Sequence, residues 1–536
     1  MANGYLCLML HAHLPFIRHP EYESFMEEDW LFEAIIETYI PLLKTYDTLV
    51  NENTDFRVTM SITPPLCEMF ADHLLQNRFV EKLTNLIELA DKELDRTKNT
   101  DFYATAVMYS LKLRECYDIF VKKYHKNLIN GFKHFQDIGK IEIVTCGATH
   151  GFMPLMNTNK NAINAQVEIA VNNYKKHFGR YPSGIWNAEC AYYPGLEEYL
   201  KKWGIKFFFV DTHGILYAEK RPKYGVFAPL YCRNGVAAFG RDIESSKQVW
   251  SAEEGYPGDA DYREFYRDIG FDLPVDYIGP YIHSDGIRVM TGFKYFRITG
   301  KNVEKQPYNP DWAQNKSKSH AANFRYNREK QVEYLSSIMD REPIIVAPYD
   351  AELFGHWWYE GPDFIRNLCK EVSGSGTVSM ITPSEYLIKY PVNQVSTPSM
   401  SSWGNKGYME VWLNSGNDWI YKHLHEIADR MVELANRFPN ESNEMKRRVL
   451  NQMARELVIA QTSCWAFIMT TNTTVEFAVK KTKTHMKRAL DLSEMMLSDS
   501  INEDYLKECE WRDPIFQEMD YMAYSDDHTI NHSLKK

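Results

Sequence analysis

The chain has 536 residues, 72 of them acidic against 61 basic, and its net charge of −11 argues against a surface built to grip phosphate backbones. No apolar run approaches the ~18 residues of a membrane span, and the opening MANGYLCLMLHAHLPF lacks a positive leader, so neither membrane partner nor signal peptide is expected. Nine scattered cysteines without a CxxC pair fit reduced thiols and a cytoplasmic protein. In chain order, strands are predicted at Tyr5–Leu10, Arg57–Ile62, Ile141–Cys146, Gly184–Trp186, Lys206–Val210, Pro343–Ala347 and Thr377–Ile381. Runs such as IEIVT, KFFFV and PIIVA are apolar throughout, as in parallel strands covered on both faces. Helical periodicity separates them at about Trp30–Val50, twice between Arg78 and Gln136, and at Lys160–His177. This alternation predicts an α/β protein whose parallel sheet closes, or nearly closes, into a barrel.

The barrel unit is expected over 1–390, with a helical insertion at about 65–138 and a Gly-, Pro-, Tyr- and Asp-rich rim insertion at about 217–321. Residues 391–415 read as a Pro/Ser-rich linker or surface loop. A helical C-terminal domain is expected over 416–536, with helices at about Gly416–Arg437, Glu441–Thr470 and Thr474–Leu497. Residues 502–536 read as irregular, with a loosely ordered end.

In parallel barrels the chemistry lies at the carboxyl ends of the strands. Here five predicted strands are followed in turn by His11 and His13, by His150, by Asn187 and Glu189, by Asp211 and His213, and by Asp350, Glu352 and His356. Two chemistries compete for this set. His11-x-His13 with His150 and Asp350 or Asp211 has the donor types for Zn²⁺ with an open water position, although the same imidazoles also suit hydrogen bonding to sugar hydroxyls. Alternatively, Glu189 and Asp350 form the carboxylate pair of a retaining glycosidase, which needs about 5–5.5 Å between nucleophile and acid/base. Their surroundings, IWNAECAYYPG and VAPYDAELFGHWWYEG, hold aromatics that stack on sugars and desolvate a carboxyl. A helix-capping Glu189 and a turn-forming Asp350 remain the plainer readings.

Five segments together resemble glycoside hydrolase family 57, and within it the α-1,4-glucan branching enzymes: HAHLPF (His11–Phe16), CGATHGFMPL (Cys146–Leu155), WNAECAYYPG (Trp186–Gly195), APYDAELFGHWW (Ala347–Trp358), and TPSEYL with SSWG (Thr382–Leu387, Ser401–Gly404). The resemblance implies a (β/α)7-type barrel with an inserted helical region and a helical C-terminal domain. It implies that Glu189 is the nucleophile and Asp350 the acid/base, with no cofactor or metal, and that His11, His13 and His150 form the polar floor of the donor subsite. The segment PLYCRNGVAAFGRD (Pro229–Asp242) resembles the branching enzymes in particular, which implies a mobile loop whose Tyr231 covers the site. By the same resemblance Arg263, Trp357 and Trp403 contact substrate, an ordinary surface ion pair being the alternative for Arg263. Tyr192, Tyr193 and Trp358 are expected in or near the same groove.

The chain departs from this pattern at Gln461-Thr-Ser-Cys464-Trp465, where branching enzymes commonly read QSSDW. The glucan-binding Asp is replaced by Cys464, a weak donor and poor acceptor. Phe271 stands where relatives often place Trp. The implied activity is branching of an amylose- or glycogen-like α-glucan. The rivals are an α-amylase or 4-α-glucanotransferase of the same family, a Zn-dependent carbohydrate hydrolase or deacetylase, and a non-catalytic glucan-binding protein.

Overall fold

A computed structural model describes residues 2–251, 254–300 and 302–526. Its strands are β1 (Gly4–Ala12), β2 (Val58–Ile62), β3 (Ile141–Cys146), β4 (Gly184–Trp186), β5 (Phe207–Val210), β6 (Leu230–Tyr231), β7 (Ala237–Gly240), β8 (Ile344–Asp350) and β9 (Val378–Met380). They run in the order β6-β7-β5-β4-β3-β2-β1-β8, with β9 beside the amino-terminal half of β1 and β2 beside its carboxyl half. Every pairing is parallel except β6 with β7. The Asp242 N–H, just past β7, donates to the Val346 carbonyl at 2.8 Å and bridges the seam to β8, so the sheet curls into a (β/α)7-type barrel whose two ends meet without strand pairing.

Strand period decides what enters the barrel. Cys7 and Met9 of β1, Val144 and Cys146 of β3, Trp186 of β4, Phe207 and Phe209 of β5, Phe239 of β7, and Ile344 and Val346 of β8 form one buried interior cluster. The intervening Leu6, Leu8 and Leu10, Val58 and Met60, Ile143, Phe208 and Ile345 belong to the larger core under the helices. Continuing the inward parity along β1 and β8 reaches His11 and Asp350, which stand opposite each other in register at the carboxyl end. The same parity on β2 brings Ser61 beside His11.

Residues 65–138 hold the helices Pro64–Ala71, His73–Arg96, Tyr103–Tyr117 and Ile129–Asp137. The rim stretch contains the β6–β7 hairpin and short turns, and a 29-residue helix, Pro310–Ile338, already begins within its expected bounds. Asn309 caps that helix by accepting from Asp311 and Trp312, and proline at its first position has no N–H to lose. Residues 391–415 lie along the barrel, with backbone bonds from Tyr231 to Gln394 and between Tyr192 and Ser401.

Beyond them come helices Trp419–Arg437, Glu444–Ala460, Ser463–Thr471, Val475–Leu497 and Glu503–Arg512. The helix expected across Glu441–Thr470 is therefore broken at Gln461–Thr462. Thr462 is extended (ψ 133°) and bridges to Gly151, which starts a new helix at Ser463 beside the barrel. The helix Glu503–Arg512 corrects the irregular reading of 502–536, and the expected loose end, from 527 on, lies outside the described residues. All nine cysteines are unpaired. Among the described residues no helix is long and apolar enough to cross a membrane.

Candidate active site

After β4 the chain makes a tight turn in which Glu189 (φ 63°) and Cys190 (φ 52°) both adopt left-handed backbone. Non-glycine residues rarely sit there, and such strain concentrates at functional sites. The turn is held from outside the barrel: the Trp403 N–H donates to the Glu189 carbonyl at 2.9 Å. The Trp403 indole Nε1–H donates to Glu189 Oε2 at 2.8 Å, and the Ser463 hydroxyl lies 3.2 Å from Oε1. Burial pushes the Glu189 carboxyl up to about 7, with these two donors pulling the other way.

Asp350 is the last residue of β8 and lies in ordinary extended backbone. Its carboxyl finds no hydrogen-bond partner among the described residues. Burial drives its pKa well above the usual carboxylate range, the charges of Glu352 and then Glu189 add to this, and Arg241 opposes it. Glu352, pushed up to about 7 by burial, accepts from the Tyr39 hydroxyl and the His13 N–H. Tyr39 ends a π-helical turn, Ile35–Tyr39, that also presents Glu37. Glu37 accepts from His356 Nδ1 at 2.8 Å and pairs with Arg263 at 3.0 Å. Gly355 (φ 124°) lets the β8 segment pass this turn, since a Cβ there would meet the Glu37 carbonyl oxygen at 1.9 Å.

The three predicted imidazoles form one floor. His11 Nδ1 lies 3.1 Å from Ser61 Oγ, His11 Nε2 2.9 Å from His150 Nε2, and His150 Nδ1 2.7 Å from Ser463 Oγ. His13 joins Thr63 Oγ1 at 3.2 Å and Cys464 Sγ at 2.8 Å. Burial holds all three neutral: His13 falls to about 3, and His11 and His150 fall well below the usual imidazole range with neighbouring rings adding to the effect. His13, His150 and Cys464 each bring one donor atom within 4.8 Å of the others. The His13 and His150 rings, however, stack face to face at 3.7 Å and 13°, so their in-plane lone pairs run side by side instead of converging on an ion. A second cluster, Glu456, His485 and Asp513, is buried in the C-terminal helices beside Arg488, which pairs with Asp513.

The remaining predicted contacts divide. Trp357 is 55% exposed, and its ring stacks on Phe265 at 4.4 Å to leave an open aromatic face near the acid segment. Trp403 is part of the site through its bonds to Glu189, and Cys464 through His13. For Arg263 the structure corrects the alternative of a surface ion pair. This residue is 4% exposed, pairs with Glu37 instead of lying on the surface, and covers the Tyr359 ring at 3.9 Å. Tyr231 is fixed in β6 opposite Ala237, at the amino-terminal end of β7 and away from Glu189 and Asp350, because residues 394–396 pair with it. Tyr192, Tyr193 and Trp358 are buried core residues, not groove aromatics.

Several residues gained a place only in three dimensions. Ser463 reaches Glu189 from the C-terminal helices, Trp250 lies edge-on to Trp403 at 6.2 Å, and Arg241 pairs with Asp211 at 3.1 Å. Asp211 also accepts from His213, whose other ring nitrogen bonds the Gly407 carbonyl. That pair therefore supports the 402–408 segment and stays off the proposed carboxyl pair.

Residues 7–398 match the model of glycosyl hydrolase family 57, and residues 423–524 match that of the 1,4-alpha-glucan branching enzyme C-terminal region. The chain is 34% identical over 517 residues to a 1,4-alpha-glucan branching enzyme of Thermococcus kodakarensis, covering 90% of this chain and 72% of that protein. Among solved structures it resembles the α-amylase AmyC of Thermotoga maritima (47% identity, TM-score 0.92, 97% of this chain and 99% of that one). It also resembles the GH57-type branching enzyme of Pyrococcus horikoshii (32% identity, TM-score 0.87, 98% and 97%).

Proposed function

The chain belongs to glycosyl hydrolase family 57, and from that premise we propose that it is a retaining 1,4-α-glucan branching enzyme in which Glu189 is the nucleophile and Asp350 the general acid/base. One observation carries the assignment of roles. Both carboxyls are largely withdrawn from solvent beyond strand ends, but among the described residues only Glu189 has hydrogen-bond donors, so Asp350 keeps its proton when Glu189 has lost its own.

Glu189 attacks the anomeric carbon of an α-1,4-linked glucosyl unit while Asp350 protonates the departing 4-oxygen. Asp350, now ionised, takes the proton of an acceptor 6-hydroxyl. That oxygen attacks the same carbon, displaces Glu189 and leaves an α-1,6 branch. The neutral imidazole floor, its ring nitrogens all engaged with protein partners, lines the donor side without adding charge. The open Trp357–Phe265 face offers stacking to a glucan chain.

Incubation with amylose followed by NMR of the anomeric protons tests this: new α-1,6 signals are expected. New reducing ends without them would identify a hydrolase, the reading favoured by the 47% identity to AmyC. Altered chain lengths without either would identify a disproportionating transferase. We further propose the cytosol as its compartment, since the nine cysteines remain thiols and eight of them are buried.

A further inference from the structure

The route from Ser61 through His11, His150 and Ser463 to Glu189 is an unbroken series of hydrogen bonds of 3.1, 2.9, 2.7 and 3.2 Å. Each neutral imidazole in it has one donor nitrogen and one acceptor nitrogen, and each hydroxyl has one proton. The direction of one bond therefore sets the direction of all the others.

We infer that Ser463 is a positioning residue for the nucleophile, and that the Ser61–His11–His150–Ser463 chain reverses its polarity whenever Glu189 gains or loses a proton. The inference rests on the reading of Glu189 as nucleophile. An ionised Glu189 can only accept, so Ser463 donates to Oε1 and has no proton left for His150. His150 must then donate from Nδ1 and accept at Nε2, His11 must donate from Nε2, and Ser61 must donate to His11 Nδ1. When Glu189 is protonated, the proton has one place to go. The Trp403 indole can only donate, which keeps Oε2 an acceptor and leaves the proton on Oε1, facing Ser463. Ser463 then turns to donate to His150 Nδ1, His150 donates from Nε2, and His11 donates from Nδ1 to Ser61.

Among the described residues no cation faces Glu189 within this shell. The titratable neighbours are Asp350 from β8, Cys146 from β3, Cys190 from its own turn, Cys464 from the helix at Ser463, and His150, with the Arg241–Asp211 pair beyond Cys190. Among the described residues the only groups that hold the carboxylate ionised by hydrogen bonding are Trp403 and Ser463, and Ser463 belongs to the C-terminal helices. The broken helix at Gln461–Thr462 thereby acquires a chemical consequence: it puts a hydroxyl, backed by two imidazoles, on the nucleophile.

The test uses the full-length protein with ¹⁵N-labelled histidine, whose ring-nitrogen shifts report which nitrogen carries the proton. Above the Glu189 midpoint, His150 should be protonated at Nδ1 and His11 at Nε2; below it, both should switch. Tautomers that stay fixed across that midpoint, or a His150 protonated at Nε2 above it, would overturn the inference. In parallel, Ser463→Ala should raise the acid limb of the kcat/KM–pH profile by about one unit, the tenfold effect of losing one donor to a charged group, and leave the alkaline limb in place. Ser463→Thr, which keeps the hydroxyl, should restore the limb. A lower kcat with an unmoved limb would reduce Ser463 to a structural role. Turnover by Glu189→Gln would remove the nucleophile reading instead, while the tautomer switch would still be decided by its own measurement.

Discussion

The carboxyl ends of β4 and β8 deliver the same functional group to the same cavity by opposite means. At β4 the backbone is bent into left-handed conformation, and the Glu189 carboxyl is met by an indole N–H and a hydroxyl from elements outside the barrel. At β8 the backbone stays extended, and Asp350 meets no donor among the described residues but has Glu352 as a like-charged neighbour. Burial alone raises both pKa values; donors on one side and like charge on the other are what separate them. In the proposed mechanism, which carboxyl acts as nucleophile is therefore decided by groups that are not in the reaction.

Removing either acid should break the comparison outright. Glu189→Gln and Asp350→Asn are each expected to lower branching of amylose by roughly 10³-fold or more, with unchanged thermal unfolding. Turnover near wild type in either variant would sink the assignment. The next effect is on the donors. Trp403→Phe keeps the ring but loses the N–H to Oε2, so Glu189 should hold its proton to higher pH. The sign is direct: the acid limb, near pH 7 in the wild type from the Glu189 value, should move upward by about one unit. Activity at pH 6 would then fall about tenfold while activity on the plateau changes less. A limb that stays in place would mean that the indole only shapes the pocket.

Much of this contrast could be read from the chain. Apolar runs marked seven of the eight strands that pair in parallel, and the residues after them brought forward Glu189, Asp350 and the three imidazoles as candidates, because strand ends are local features that a sequence displays. What could not be read depends on contacts made far along the chain. Ser463 meets Glu189 across 274 positions, and nothing in QTSCW announces that its helix restarts there. Arg263 sits in YREFYRD, a charged run that looks solvated, yet the first long helix and the helical insertion close over it and supply Glu37 and Tyr109. Tyr231 was placed by motif alone, and only the pairing with Ala237 reveals which end of the barrel it occupies. The β6 and β7 strands lie inside the Gly-, Pro-, Tyr- and Asp-rich stretch that reads as rim loops, and that composition hid them.

The smallest effects are the most pointed, because they exchange the two environments. Glu352→Gln keeps an oxygen to accept from Tyr39 and the His13 N–H but removes the like charge beside Asp350. Asp350 then loses its proton more readily, so the alkaline limb should move down, by about one unit. Cys464→Asp does the reverse at β4 by adding a carboxylate to a side that has donors and no like-charged contact. Glu189 should hold its proton more tightly, and the acid limb should move up. The shift should be smaller, about half a unit, because the new carboxylate would sit on His13 Nε2 and induce that imidazole to take up a compensating proton. Cys464→Ser, which adds no charge, should leave the limb where it is. If Glu352→Gln moved the acid limb, or Cys464→Asp the alkaline one, the two strand ends would have exchanged roles, with Asp350 as nucleophile and Glu189 as acid.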